Sequence, residues 1–249
     1  MVDKEKLPIK TRQMNPKIEI DKGWTEAIID DDCEFGKFYK VADILSNDFN
    51  IVFSKKVDDF DTLYWEFNYQ GNKLVFHYNV YIGISIFPKE FKSATSTNNQ
   101  AVVEISTLLF QKLINDNWSD FEHGKTIKTK GSEGGTVIQD IENSNGARIT
   151  LEKECGSIPF ATTIGIYGLM FHTHFEKNLE QAYEYTIQAK YKINKIFDLY
   201  DTPEDKRDDY WHSKLNKKIN ELAEIELETD QTNLSEKVKE LKWWQNFFK

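Results

Sequence analysis

Between Leu63 and Ile86 apolar and polar residues alternate almost without a break, and this two-residue period restricts the chain more than any other feature. Leu63, Trp65, Phe67 and Tyr69 fall on one side of an extended backbone, with Tyr64, Glu66 and Asn68 on the other. Gln70-Gly71-Asn72 is a turn signal, after which Leu74, Phe76 and Tyr78 alternate with Val75, His77 and Asn79. Ile82, Ile84 and Ile86 repeat the pattern until Pro88, which cannot donate to a ladder. With a further strand over Phe49 to Phe53, this predicts an antiparallel meander with one buried face. Such a face requires a covering layer. Val102, Ile105, Leu109 and Leu113 supply it as the apolar stripe of a helix capped by Asn98 or Asn99. A shorter helix carrying Phe38, Val41, Ala42 and Leu45, closed by Asn47 and Asp48, precedes the strands.

The second half follows the same plan. Residues 136–142 and 147–153 flank Asn143-Ser-Asn-Gly146, and Asn-Gly is a strong hairpin signal because both residues tolerate positive φ. After Pro159 a long strand is predicted from Phe160 to Phe175. Asn178, with Gln181 three places on, then caps a helix carrying Leu179, Ala182, Thr186, Ala189, Ile193 and Phe197. Tyr81-Ile-Gly-Ile84 is similar to Thr163-Ile-Gly-Ile166, which fits an internal β-β-β-α duplication. The expected fold class is α+β, with two antiparallel β-meander/helix units and a C-terminal helical extension. The expected segments are an N-terminal arm over 1–20, a first unit over 21–116, a linker over 117–135, a second unit over 136–201 and the extension over 202–249. Gly131-Ser-Glu-Gly134-Gly135 lacks the Lys-Ser/Thr of a phosphate loop and reads as flexible linker. Gly165 and Gly168 sit inside a strand and read as packing or bulge positions. Thr202-Pro203 predicts a helix running to about Glu226, and Asn233 with Glu236 predicts a last one.

With 249 residues, 39% of them hydrophobic, and 17 Phe, 11 Tyr and 6 Trp, the chain can bury a core without staples. Cys33 and Cys155 match no disulfide or metal-ligand spacing, so both read as free thiols. The first residues lack the apolar stretch of a signal peptide, and no run reaches the length of a membrane span, so a cytoplasmic protein without integral membrane association is expected. The net charge of -9 and a pI near 5.2 argue against nucleic acid and anionic lipid as partners and favour a protein partner, a basic one in particular. No cofactor motif is present in the sequence, so no cofactor is expected.

Acids cluster at Asp30, Asp31, Asp32 and Glu34, and again at Asp58, Asp59 and Asp61. Neither cluster has the glycine-centred spacing of a calcium loop. From Glu19 to Glu34 seven acids face one Lys, a local charge of -6 that would speed association with a basic protein. Trp243, Trp244, Phe247 and Phe248 close a segment from Lys237 carrying +3. That segment could dock on the body, enter a partner's groove or lie on a membrane surface. His172-Thr-His174 is the strongest metal candidate, because an i, i+2 pair on a strand points both rings to one side; His77 could be a third ligand. Cys155 with His172 as nucleophile and base is no better than coincidence in a chain with five His.

In architecture alone, without a shared motif, a small acidic α+β chain of this kind resembles bacterial immunity proteins and secretion chaperones. That resemblance implies a non-catalytic binding module using acidic and aromatic surfaces. The alternatives are a metal-dependent enzyme or metalloprotein centred on His172 and His174, and a membrane-surface adaptor using the C-terminal Trp/Phe/Lys helix.

Overall fold

In the computed structural model, which describes residues 16–21, 23–32 and 35–225, the chain is α+β, with two antiparallel sheets and helices against each. Its contacts divide it into two compact units, with the boundary between Trp118 and Ser119.

The first unit begins with strands β1 (Lys17–Asp21) and β2 (Trp24–Asp30) and helix α1 (Phe35–Asp48). Strands β3 (Phe53–Asp58), β4 (Thr62–Tyr69), β5 (Asn72–Asn79) and β6 (Gly83–Pro88) follow, then helix α2 (Ser96–Asn115). The sheet order is β1-β2-β6-β5-β4-β3, so the meander of four consecutive strands is extended by the N-terminal hairpin. Leu63, Trp65, Phe67, Leu74, Phe76, Tyr78, Ile84 and Ile86 of the alternating series are all buried in one core with α1 and α2. The period is broken elsewhere: Val75 on the opposite face is buried too, β6 is buried at every position, and Ile82 lies exposed before β6. Phe38 of α1 stacks on Phe76 with ring centres 4.3 Å apart and meets Trp65 edge-on at 5.0 Å. Helix α2 lies over β2, β5 and β6.

Two sequence expectations change here. Phe49 to Phe53 is not a strand; β3 starts at Phe53 and runs through Lys55, Lys56, Val57 and Asp58, all exposed at the border of the sheet. Thr95, rather than Asn98 or Asn99, is the cap of α2. Its side chain accepts from the Asn98 amide while Asn98 reaches back to the Thr95 amide. Asn99 instead ties the helix to β2, accepting from Thr25 N and donating to Gly23 O.

The second unit contains β7 (Trp118–Asp120), β8 (Thr136–Asn143), β9 (Ala147–Cys155), β10 (Ile158–Ile166) and β11 (Met170–Glu176), in sheet order β11-β10-β9-β8-β7. Helix α3 (Leu179–Leu199) covers β9 to β11, and helix α4 (Asp209–Ala223) packs on α3. The predicted long strand over 160–175 is two strands. Gly168, at φ +75, lets the chain reverse, and Leu169 N bonds to Ile166 O. Each unit therefore holds four consecutive antiparallel strands followed by a helix. The two Gly-centred segments do not correspond, because Tyr81-Ile-Gly-Ile84 enters the fourth strand of its meander and Thr163-Ile-Gly-Ile166 lies in the third. Thr202-Pro203 opens only a 3-10 turn over Glu204–Lys206; α4 starts later, where the Asp208 side chain accepts from Trp211 N.

The glycine-rich run is tied down. Thr129 and Lys128 exchange backbone bonds with Val137, and Gly131 N bonds to Gly135 O. The buried Glu152 carboxylate accepts from the amides of Glu133 and Gly135 and from the Ser132 hydroxyl. The N-terminal arm up to residue 15, Cys33 and the helix expected from Asn233 lie outside the described residues.

Candidate functional site

Antiparallel pairing brings the two acidic clusters, separated in sequence, to one end of the first sheet. Strand β2 finishes at Asp30 beside the start of β6, where Asp30 is opposite Ile84. Asn79 at the end of β5 is opposite both Gly83 of β6 and Thr62 of β4, and Asp58 at the end of β3 is opposite Leu63. Asp30 to Asp32, the turn through Tyr81 and Ile82, and the turn from Asp59 to Asp61 are thus neighbours along a single edge. Val80 N bonds to Asp61 O, which ties the last two turns together.

Gly83 makes this edge compact. It sits at φ +92, and a Cβ there would collide with the backbone carbonyl of Asp30. Asp30 itself is a correction to the expected contact set. It is only 3% exposed, forms a 2.7 Å ion pair with Lys37 of α1 and accepts from Asp32 N, so it orders the edge and does not present a charge at it. Asp31 is exposed and Asp32 half-buried. Asp58 is exposed and accepts from the indole N–H of Trp65, while Asp59 accepts from Phe60 N, which shapes the tight turn. Glu34, Trp243, Trp244, Phe247 and Phe248 lie outside the described residues.

What the sequence did not reveal is the apolar component of this edge. Phe60 is 96% exposed and Tyr81 85%, on the two linked turns, and Ile82 and Phe35 are also open to solvent. Phe60 stands between Asp59 and Asp61, a position that composition alone assigns to a solvated loop. Side chains of this size left in water among carboxylates are a combination common at protein-recognition surfaces.

The histidine pair lies in the second unit. His172, His174 and Glu176 occupy alternate positions of β11, opposite Ile164, Thr162 and Phe160 of β10, on the sheet face covered by α3. The His174 ring stacks on Tyr185 of α3 at 4.4 Å, and its Nδ1 lies 3.2 Å from the Glu176 carboxylate. Glu176 is the member that sequence reading missed, although the same two-residue period identifies it. Burial raises its carboxyl to about 7, partly offset by the Thr162 hydroxyl. Burial, with the neighbouring His172, lowers His174. His77 is in the first unit, where Nδ1 faces Ser85 Oγ at 3.4 Å. Among the described residues no three His, Cys, Asp or Glu side chains form a metal-binding set. The Cys155 thiol is pushed up by burial and by Glu152 and Glu133, the opposite of an activated nucleophile.

No helix of the described residues is long and apolar enough to cross a membrane. Comparison with family models, with curated proteins and with solved structures finds no match for this chain.

Proposed function

We propose that this chain is a non-catalytic protein-binding module that engages a basic segment of another protein at the acidic and aromatic edge of its first sheet. The observation that carries this reading is the exposure of Phe60 and Tyr81 on two hydrogen-bonded turns, flanked by Asp31, Asp59 and Asp61. Apolar anchors supply most of the binding energy at such surfaces, and the carboxylates around them raise the association rate with a cationic partner and reject acidic ones. A toxin or effector with a basic contact surface is the kind of partner this arrangement suits.

The test is a tagged full-length chain passed through native lysate beside two variants, Asp31→Lys with Asp59→Lys and Phe60→Ala with Tyr81→Ala. A protein retained by the parent and lost from both variants, at unchanged thermal stability, supports the reading. Retention that neither variant alters defeats it.

A further inference from the structure

The second unit carries a half-open cavity of about 670 Å³ on the sheet face opposite α3. Its floor includes Arg148, Thr150, Thr163 and Gly165 of β9 and β10; the tied-down run from Thr126 to Ser132 forms one wall and the β10–β11 turn with Phe171 the other. The volume lies within the range of small-molecule sites.

The cations of this cavity are differently placed. Arg148 is held rigidly: Nε and Nη2 donate to the two carboxylate oxygens of Asp140 at 2.8 and 2.6 Å, and its guanidinium lies 3.5 Å from the centre of the Phe121 ring. Only part of the donor fork is used in this pair, and the remaining donors keep a fixed direction. Asp140 is the sole acid of the lining, and Arg148 balances it. Lys130, also in the lining, is exposed and has no ion-pair partner among the described residues. Thr126, in the same wall, turns its buried hydroxyl to the Asp140 carboxylate and helps to hold that group ionised. Opposite these groups stand Ile166, Leu169, Met170 and Phe171.

We infer that this cavity is a binding site for a small organic monoanion with an apolar ring body, its acid group held by Lys130 and the unspent donors of Arg148 and its ring against Phe171 and Met170. The site is in a different unit from the protein-binding edge and depends on none of its residues.

A matched pair of fluorescent probes tests it on the full chain. 8-Anilinonaphthalene-1-sulfonate carries an anion on an apolar body, and N-phenyl-1-naphthylamine is the same body without the sulfonate. The sulfonate is expected to bind about 3- to 10-fold more tightly. Lys130→Ala should remove most of that advantage while changing neutral-probe binding less than about twofold. Gly165 has ordinary backbone geometry, and a Cβ there meets only Phe171 at 3.6 Å, so Gly165→Leu fills the cavity. It should weaken both probes about tenfold or more with the circular dichroism spectrum retained. If that variant does not fold, Phe171→Ala, at a 72% exposed position, serves in its place and should weaken both probes. Equal affinity for the two probes, an advantage that survives Lys130→Ala, or binding indifferent to the cavity variant would each overturn the inference.

Discussion

Glu152 fills the space that a Cβ on Gly131 would take, and its carboxylate gathers the amides of Glu133 and Gly135 around itself. A buried acid is thereby satisfied by the loop it holds. Glu152→Ala should leave those amides unpaired and cost about 1–3 kcal/mol. Hydrogen exchange would show it as faster exchange over residues 126–135, with the first unit unchanged. Gly135→Ala should cost a similar ~1–3 kcal/mol by crowding, because a Cβ there lies 2.5 Å from Cys155 Sγ and 2.6 Å from the Lys153 carbonyl.

At the acidic edge, Gly83→Ala forces a side chain against the Asp30 carbonyl in a left-handed conformation. The expected loss is about 1–3 kcal/mol in urea unfolding of the first unit. Phe60→Ser and Tyr81→Ser should leave stability within about 0.5 kcal/mol, since neither side chain is packed. A large loss from either surface change would show that these rings support the fold.

The buried Glu176 predicts a pH dependence with a defined sign. Its folded value, about 7, lies above its ordinary 4.5, so between these pH values the native state holds more protons than the unfolded one. Stability from this group therefore falls as pH rises through that window, by roughly 3 kcal/mol in total. His174, lowered by burial, opposes this trend, and Thr162 and Tyr185 face the same carboxylate. Glu176→Gln should be increasingly more stable than the parent from pH 5 to pH 8 in thermal unfolding. A difference between the two that does not change with pH would refute the assignment.

Asp208 should matter more than Thr202 or Pro203 for the last described helix. Its carboxylate accepts from Trp211 N at 2.9 Å, and Trp211 in turn donates from its indole to the Leu199 carbonyl. Asp208→Ala should cost about 1 kcal/mol, measured as lost helicity and an earlier thermal transition, and Thr202→Ala much less.

The contrast at these two caps shows what was legible in the chain. Periodicity located the buried face of β4 and the stripe of α1, because a strand or helix with one wet side must repeat, whereas β6, buried at every position, shows no such wet side. Asn178 at the start of α3 was equally legible, since its side chain has a local partner in Gln181 N. Thr202-Pro203 carried the same local signal, yet Arg207 is extended and separates that turn from α4. Long-range arrangement was hidden. Nothing between Asp32 and Asp58 announces that their strands, with three others between them in the sheet, finish at the same end of it, and burial of Asp30 depends on Lys37, reached only after the chain has turned into α1. The glycine run looked free because the group that fixes it, Glu152, is a strand residue far along the chain.

Among the described residues no strand pairs with the outer side of β3, which sets Lys55 and Lys56 at that border of the first sheet, the second with its ammonium 3.7 Å from the centre of the Trp65 ring. A second copy that tried to lengthen the sheet across this border would set like charges against like, a safeguard against fibre growth. The same two lysines mark a change of sign within a few residues of Asp58 and Asp59. A chain lying along both would have to carry its own charges in the reverse order, so a partner binding here would be selected by the sequence of its charges as well as by their sum.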